Sequence, residues 1–270
     1  MNAAANSDER LVTDLVQYEL GDDHVATITL NRPEKLNGID RDMIEEIARL
    51  WERVKHDDAV HAIVFRAAGE RAFSTGLDRK KGFVYPDNLW NKWDPGEKLD
   101  PKAVKCWKPV ICAVNGMCAG GAFYIVGGSD IVIASDDATF FDPHVDSGLV
   151  AALEPISMSR KMPLGEILRV SLMGVEERMS ARRAHEIGLV SEVVSREALW
   201  DRAHRIAAVI ASKPTVATQG TVRAIWEGME TGRTQAMQRG LSYTQLGNHI
   251  GEAQAGNILK TGVRKPFEVR

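Results

Sequence analysis

Cysteine is scarce in this chain of 270 residues, which contains only three. Cys106, Cys112 and Cys118 lie in apolar surroundings, and neither a Cys-x-x-Cys pair nor a group of histidines accompanies them. A small, odd number of cysteines without such partners speaks against a disulfide framework and against a zinc site. We therefore predict three buried free thiols, no metal centre and a reducing compartment.

An excess of one charge and a long apolar run are also missing. Lys and Arg number 34, Asp and Glu 37, and the formal net charge of −3 gives no basis for nucleic-acid binding. Residues 1–10 are polar, without the apolar run of a signal peptide. Only residues 110–128 approach the length of a membrane span, and Asn115 with several glycines favours a buried strand followed by a helix there. We expect a cytoplasmic protein with no nucleic-acid or membrane partner.

The sequence has no internal repeat, no low-complexity segment, no phosphate-binding loop and no nucleophile elbow. Its hydrophobic content of 44% is ordinary for a globular protein. Strands are predicted at 16–19, 24–30 and 61–66. Asp40 is predicted to cap an amphipathic helix that ends near Lys55. Strands that alternate with helices, followed by a helical region after about residue 199, indicate an α/β fold.

A loop rich in glycine follows the strand-like segment 109–114. In the stretch 115–124, Gly120 and Gly121 come just before an apolar helix. Glycines let a backbone approach a bound group closely, and the helix N-terminus adds partial positive charge. Such a loop can hold an anion or a polarised carbonyl oxygen. Close packing of the backbone is the alternative explanation of the glycine pair.

A second loop of small residues, 72–78, follows the apolar run 62–65 and can present another backbone N–H. One donor from each loop would form an oxyanion hole. With these two loops the chain resembles the crotonase (enoyl-CoA hydratase/isomerase) superfamily. The resemblance extends over about residues 15–267, and further matching segments occur in the family's order. These segments are 28–37, 130–135, 138–140, 179–181 and 184–190.

The resemblance implies a crotonase-like spiral of ββα units over residues 15–195, after an extended or disordered tail at 1–14. Residues 196–270 would form a C-terminal helical region that assembles subunits into a homotrimer or a dimer of trimers. The substrate would be an acyl-CoA, with no cofactor beyond the coenzyme A that it contains.

By position, the resemblance assigns the two oxyanion-hole amides to Leu77 and Gly121, which would polarise the thioester carbonyl. It also implies a set of residues around coenzyme A, of which the last two would reach a neighbouring subunit. This set is Lys35, Leu36, Ala72, Ser74, Gly76, Asp78, Lys265 and Phe267. Lys35 has a simple alternative as a solvated surface lysine.

The chain departs from the family where a hydratase has its two glutamates. The first position is Tyr124, and the second, after Phe140-Phe141-Asp142-Pro143, is His144. His144 is the first candidate for acid–base work, since its ordinary pKa of about 6.5 suits proton transfer near neutral pH. Asp142 or Asp146 can orient the ring and favour its charged form. The alternative is a packed histidine without a chemical role.

Two further residues are weaker candidates for the missing carboxylates. Tyr124 can donate a hydrogen bond or a proton, or can simply fill the vacated space. Glu154 can restore a carboxylate from another direction, or can face solvent in a turn. The segment 79–108, with Tyr85, Trp90 and Trp93, is either a surface excursion or one wall of the acyl pocket.

Three functions remain open on the sequence. The leading one is an acyl-CoA enzyme of hydratase/isomerase type, in which Leu77 and Gly121 stabilise an enolate and His144 moves the proton. The second is a hydrolase of a CoA thioester or of a cyclic β-diketone, with water activated by His144. The third is a non-catalytic protein that binds acyl-CoA.

Overall fold

A computed structural model describes residues 14–78, 80, 87–256 and 267–270 of the chain. The strands are Val16–Leu20 (β1), Val25–Leu30 (β2), Ala62–Ala67 (β3), Ala72–Ser74 (β4), Val110–Val114 (β5), Met117–Ala119 (β6), Ile131–Ser135 (β7), Thr139–Phe141 (β8), Met179–Ser180 (β9) and Glu192–Val194 (β10). The α-helices are Arg41–His56 (α1), Ala122–Gly128 (α2), Leu153–Met158 (α3), Leu164–Met173 (α4), Ala181–Glu186 (α5), Leu199–Ala211 (α6), Thr215–Met229 (α7) and Arg233–Ala255 (α8).

The described strands form two sheets, and the chain alternates between them. The larger sheet has the order β1-β2-β3-β5-β7-β10, parallel except for the β1–β2 hairpin. The smaller sheet has the order β4-β6-β8-β9, with only β9 antiparallel. Each of β3, β5 and β7 is followed directly by a strand of the smaller sheet. This repeated step is the ββα spiral that the resemblance implies.

The larger sheet is buried on both faces because successive side chains of a strand point to opposite sides. In β5, Val110, Cys112 and Val114 pack in the main core with α1 and α2, while Ile111 and Ala113 face α6. A strand buried on both sides is apolar throughout, which explains the continuous apolar run there. All three cysteines are buried and free, as predicted, and burial raises the pKa of the Cys112 thiol to about 12.

Helix α1 begins where the sequence predicts, because the Asp40 side chain accepts a hydrogen bond from the Met43 amide at 3.1 Å. Its apolar stripe is almost completely buried. The strand predictions are also confirmed, with ends displaced by at most one residue. Such displacements are expected, because strand ends depend on individual ladder hydrogen bonds.

The three C-terminal helices have different partners. Helix α6 packs on the larger sheet, whereas α7 and α8 pack mainly on each other. The division at residues 195 and 196 stays a prediction, and the predicted tail lies outside the described residues except for Asp14. Every helix within the described ranges is too short or too polar to cross a bilayer.

Candidate active site

The two predicted donor loops are in contact with each other. Gly120 and Gly121 connect β6 to α2, and Gly76 follows β4 with a φ of +88°. A Cβ on Gly76 would lie 2.8 Å from both the Ala119 carbonyl oxygen and the Gly121 nitrogen, closer than any real side chain is found. Glycine at position 76 is therefore required both by its positive φ and by the close approach of the second loop.

The Leu77 amide is directed by a short bridge to Ile39. The Ile39 amide donates to the Gly76 oxygen, and the Asp78 amide donates to the Ile39 oxygen, both at 2.8 Å. Since successive residues of an extended chain point their N–H groups to opposite sides, the Leu77 amide points away from Ile39. Within the part of the chain that the structure describes, neither Leu77 N–H nor Gly121 N–H has an acceptor.

Leu77 and Gly121 both line one cavity of about 660 Å³. Its wall combines the two loops, the segment 92–97, the segment 143–150 and the start of α3. The lining residues are Thr75, Gly76, Leu77, Lys92, Trp93, Asp94, Glu97, Gly120, Gly121, Pro143, His144, Ser147, Leu149, Val150, Ala152, Leu153 and Glu154. The sequence candidates Leu77, Gly76, Gly121, His144 and Glu154 are thus brought together.

His144 lies between two carboxylates. Its Nδ1 is 2.5 Å from Asp142 Oδ1, and its Nε2 is 3.4 Å from Glu154 Oε1. The hydrogen bonds to Asp142 and Glu154 outweigh the desolvation of the ring and raise the pKa of His144 to about 10. The imidazole is therefore held as imidazolium at neutral pH, with Nε2–H on the side of Glu154.

The orientation of His144 is fixed by Asp142 and not by Asp146. The fully buried Asp142 accepts both the His144 amide and its ring nitrogen through Oδ1, because the backbone turns into a short 3-10 helix at His144. Its Oδ2 is buried without a partner among the described residues. Asp146 instead accepts the Val175 amide at 2.9 Å.

Glu154 is placed by the first turn of α3 and is only 6% exposed, so it is not a solvent-facing turn residue. It supplies a carboxylate beside His144 from ten residues further along the chain. The ring of His144 also lies close to the oxyanion loop, since a Cβ on Gly120 would be 3.7 Å from His144 Cε1. His144, Glu154 and the two donor loops therefore line the same cavity.

Tyr124 lies just outside the cavity wall. Its side chain is 3% exposed, and its hydroxyl donates a short hydrogen bond to Asp94 Oδ2. Burial and this hydrogen bond raise the pKa of the Tyr124 phenol, which keeps it protonated. Asp94, which does line the cavity, is not among the sequence candidates. Its Asp-Pro-Gly context was the available signal, because Asp before Pro begins a helical turn, here Pro95–Leu99.

The segment that includes Asp94 forms a wall of the cavity, as one of the two sequence interpretations proposed. Trp93 lines the cavity, while Trp90 is 94% exposed and does not. Lys98 lies over the Trp93 ring, with Nζ 4.8 Å from its centre. Tyr85 is outside the described residues.

The residues predicted around coenzyme A are in several environments. Ser74 is fully buried, where its hydroxyl donates to the Asn37 oxygen and accepts the Gly76 amide, and Ala72 is buried in β4. Lys35 is exposed, and Leu36 accepts the Thr75 amide through its carbonyl at 3.2 Å. The hydrogen bond to Thr75 places Leu36 beside the first donor loop.

Asp78 and the two C-terminal candidates complete the predicted coenzyme A set. The Lys80 amide and the Arg32 guanidinium, which is 3.0 Å away, lower the pKa of Asp78. Phe267 is 87% exposed, and Lys265 lies outside the described residues. Over the described residues, no group of three or more His, Cys, Asp or Glu side chains could hold a metal ion.

Comparison with known proteins agrees with this geometry. The sequence model described as enoyl-CoA hydratase/isomerase matches residues 21–262. The chain is 34% identical over 225 residues to (E)-benzylidenesuccinyl-CoA hydratase of Thauera aromatica, covering 83% of this chain and 85% of that one. It is 34% identical over 204 residues to 1,2-epoxyphenylacetyl-CoA isomerase of Escherichia coli, covering 71% and 74%.

A solved structure of an enoyl-CoA hydratase/isomerase from Mycobacterium paratuberculosis is 39% identical and superposes with a TM-score of 0.84, covering 95% of this chain and 98% of that one. The fold, the paired donor loops and these matches all agree. The chain belongs to the enoyl-CoA hydratase/isomerase family.

Proposed function

We propose that this enzyme processes an enoyl-CoA thioester through an enolate that is held by the Leu77 and Gly121 amides. The observation that carries the proposal is that one cavity is lined by two residues with free backbone donors and by His144, which lies between two carboxylates. Drawing electron density onto the thioester oxygen stabilises negative charge that develops when a nucleophile adds at the β-carbon or a proton leaves the α-carbon. His144 then returns a proton to carbon.

The charge state of His144 favours hydratase or isomerase chemistry over hydrolysis. A hydrolase in which His144 activates water needs a neutral imidazole, whereas two carboxylates hold this ring as imidazolium. A positively charged ring is an acid, able to protonate an enolate carbon.

We propose that the acyl group contains a ring or another bulky apolar part. Trp93, Leu149, Val150 and Leu153 line the cavity and offer apolar contact area. Two relatives are named for substrates with a benzylidene or a phenyl group. No cofactor beyond the coenzyme A of the substrate is proposed, and the predicted coenzyme A residues keep that proposed role.

We also propose the homotrimer or dimer of trimers, in the cytoplasm. Helices α7 and α8 leave several large apolar side chains exposed on the isolated chain, which supports contact with another subunit. They are Ile225, Met237, Leu241, Leu246 and Ile250. Sedimentation velocity tests the assembly, and a single sedimenting species of monomer mass at micromolar concentration would refute it.

The activity is tested with crotonyl-CoA, cinnamoyl-CoA and cyclic β-keto acyl-CoAs in deuterated water, with the products identified by mass spectrometry. A water adduct with coenzyme A still attached, or deuterium at the α-carbon, is the expected result. His144→Gln should remove it while binding of the acyl-CoA persists. Release of free coenzyme A would favour the hydrolase, and binding without any turnover would favour the non-catalytic protein.

A further inference from the structure

His144 alone does not account for both proton transfers that hydration requires. Addition of water to an enoyl thioester requires one group that gives a proton to the α-carbon and another that takes a proton from water. His144, paired to Asp142 at 2.5 Å and to Glu154 at 3.4 Å, is placed to give a proton. A separate group must accept one, and the usual glutamate of helix α2 is replaced by Tyr124.

Asp94 is a carboxylate held rigidly in the cavity wall. Its Oδ1 accepts the Gly96 amide at 2.8 Å, because Asp94 caps the 3-10 helix Pro95–Leu99. Its Oδ2 accepts the Tyr124 hydroxyl. A carboxylate has about four lone-pair sites, so two remain for a water molecule or for the substrate. Asp94 lines the same cavity as Leu77, Gly121 and His144.

Tyr124 is suited to hold Asp94 and not to exchange protons itself. Its hydroxyl is already committed to Asp94 as a donor, and its ring packs so closely on Gly96 that a Cβ there would overlap it. The phenol lies behind the cavity wall, one hydrogen bond away from the space where the acyl group fits. Helix α2 therefore still directs a carboxylate to the site, but through a hydrogen bond to a residue of another segment.

We propose that Asp94 is the second catalytic carboxylate of this enzyme and that Tyr124 is the positioning residue that holds it. The proposal rests on the enoyl-CoA function proposed above. Asp94 takes a proton from water as the water oxygen bonds to the β-carbon, and the π electrons move to the thioester oxygen held by Leu77 and Gly121. The enolate collapses as its α-carbon takes the proton of His144 Nε2. The proton on Asp94 then returns to His144 through solvent, which restores both groups.

The test compares Asp94→Asn, Tyr124→Phe and the double variant in steady-state hydration of an accepted enoyl-CoA. Asparagine keeps the oxygen that accepts the Gly96 amide, so the turn persists while the proton acceptor is lost. We expect Asp94→Asn to lower kcat by about 100-fold or more with KM changed less than about threefold. Tyr124→Phe should lower kcat by roughly tenfold, and the double variant should match Asp94→Asn, because the two residues act as one unit.

Two matched controls separate this effect from general damage. Tyr18→Phe removes a buried phenol hydroxyl that has no partner among the described residues, and Asp87→Asn removes an exposed carboxylate of the same segment as Asp94. Both variants should keep the wild-type kcat. For every variant, kcat is measured well below its thermal midpoint, so that loss of folded protein does not enter the comparison.

Each possible result decides a different point. If Asp94→Asn keeps kcat within twofold while His144→Gln loses it, the assignment of Asp94 is refuted and the enoyl-CoA function stands. If both variants keep full activity, the role of His144 as proton donor is refuted as well. If the wild type itself turns over no enoyl-CoA, the proposed function fails. If Tyr124→Phe adds its own full factor on top of Asp94→Asn, the positioning role of Tyr124 is refuted.

Discussion

A methyl group added at Gly121 should disable the oxyanion hole without disturbing the fold. Gly121 has a φ of −56°, which an alanine adopts without strain. The new Cβ would lie 2.7 Å from Leu77 Cγ, 3.1 Å from Leu77 Cδ2 and 3.2 Å from the Leu77 nitrogen. The steric effect of Gly121→Ala therefore falls on the residue that supplies the other donor.

The size of the effect follows from what one donor contributes. A contact of 2.7 Å between carbon atoms forces a shift, and the side chain and backbone of Leu77 are the atoms in the way. Displacing one oxyanion donor costs about 3 kcal/mol of transition-state stabilisation, which lowers kcat by a factor of ~10². Binding of coenzyme A away from the carbonyl should change much less.

The assay is steady-state turnover of an accepted acyl-CoA, with urea denaturation of each variant in parallel. Gly165→Ala is the matched control, because it adds the same methyl group near the start of α4 with no atom within 4 Å. The double variant Gly121→Ala/Leu77→Ala removes the clashing Leu77 carbons and should recover part of the lost kcat relative to Gly121→Ala. Unchanged kcat in stable Gly121→Ala protein would refute the assignment of the two amides.

Three further predictions concern stability. Because the folded state raises the pKa of His144 from its ordinary 6.5 to about 10, this group stabilises the fold fully below pH 6.5 and loses that contribution as the pH rises towards 10. The urea midpoint of His144→Gln should therefore fall less between pH 7 and 10 than that of the wild type. The buried Asn37 side-chain amide donates to two backbone carbonyls at 2.9 Å. Asn37→Asp removes these donors and should lower the free energy of unfolding, measured in urea, by about 3 kcal/mol. A loss below about 1 kcal/mol would contradict this. Trp226→Phe removes the indole N–H that donates to Asp130 at 2.6 Å. Amide hydrogen exchange should become faster in α7 but not in β5. An equal increase of the exchange rate in both elements would contradict this prediction.

The fold could be predicted from the sequence because the patterns that indicate each helix and strand lie within short segments. The apolar stripe of α1 and its Asp40 cap repeat at helical spacing, and β5 is apolar throughout because both of its faces are covered. The two donor loops follow strands directly, so their place at strand ends could be predicted. Strand ends were displaced by at most one residue because single hydrogen bonds decide them.

The residues proposed to transfer protons could be predicted from the sequence only in part. Asp142 is two residues from His144, so a contact between them could be predicted. Asp146 is equally near in sequence, and only the backbone turn at His144 shows that Asp142 is the residue in contact with the ring. Glu154 was a candidate whose approach to His144 depends on how α3 packs. Asp94 was missed because its contact with Tyr124 joins residues thirty positions apart, in a segment without helical or strand periodicity.

The amides proposed to bind the carbonyl and the side chains proposed to transfer protons belong to different parts of the chain. The amides are backbone groups of Leu77 and Gly121, fixed by contact between two loops and by the bridge to Ile39, so substitution of most side chains leaves them in place. The side chains that move protons come from surrounding segments that can change independently. Evolution can therefore exchange one reaction for another around an unchanged pair of amides, and a designer can do the same by varying residues 92–97 and 142–154.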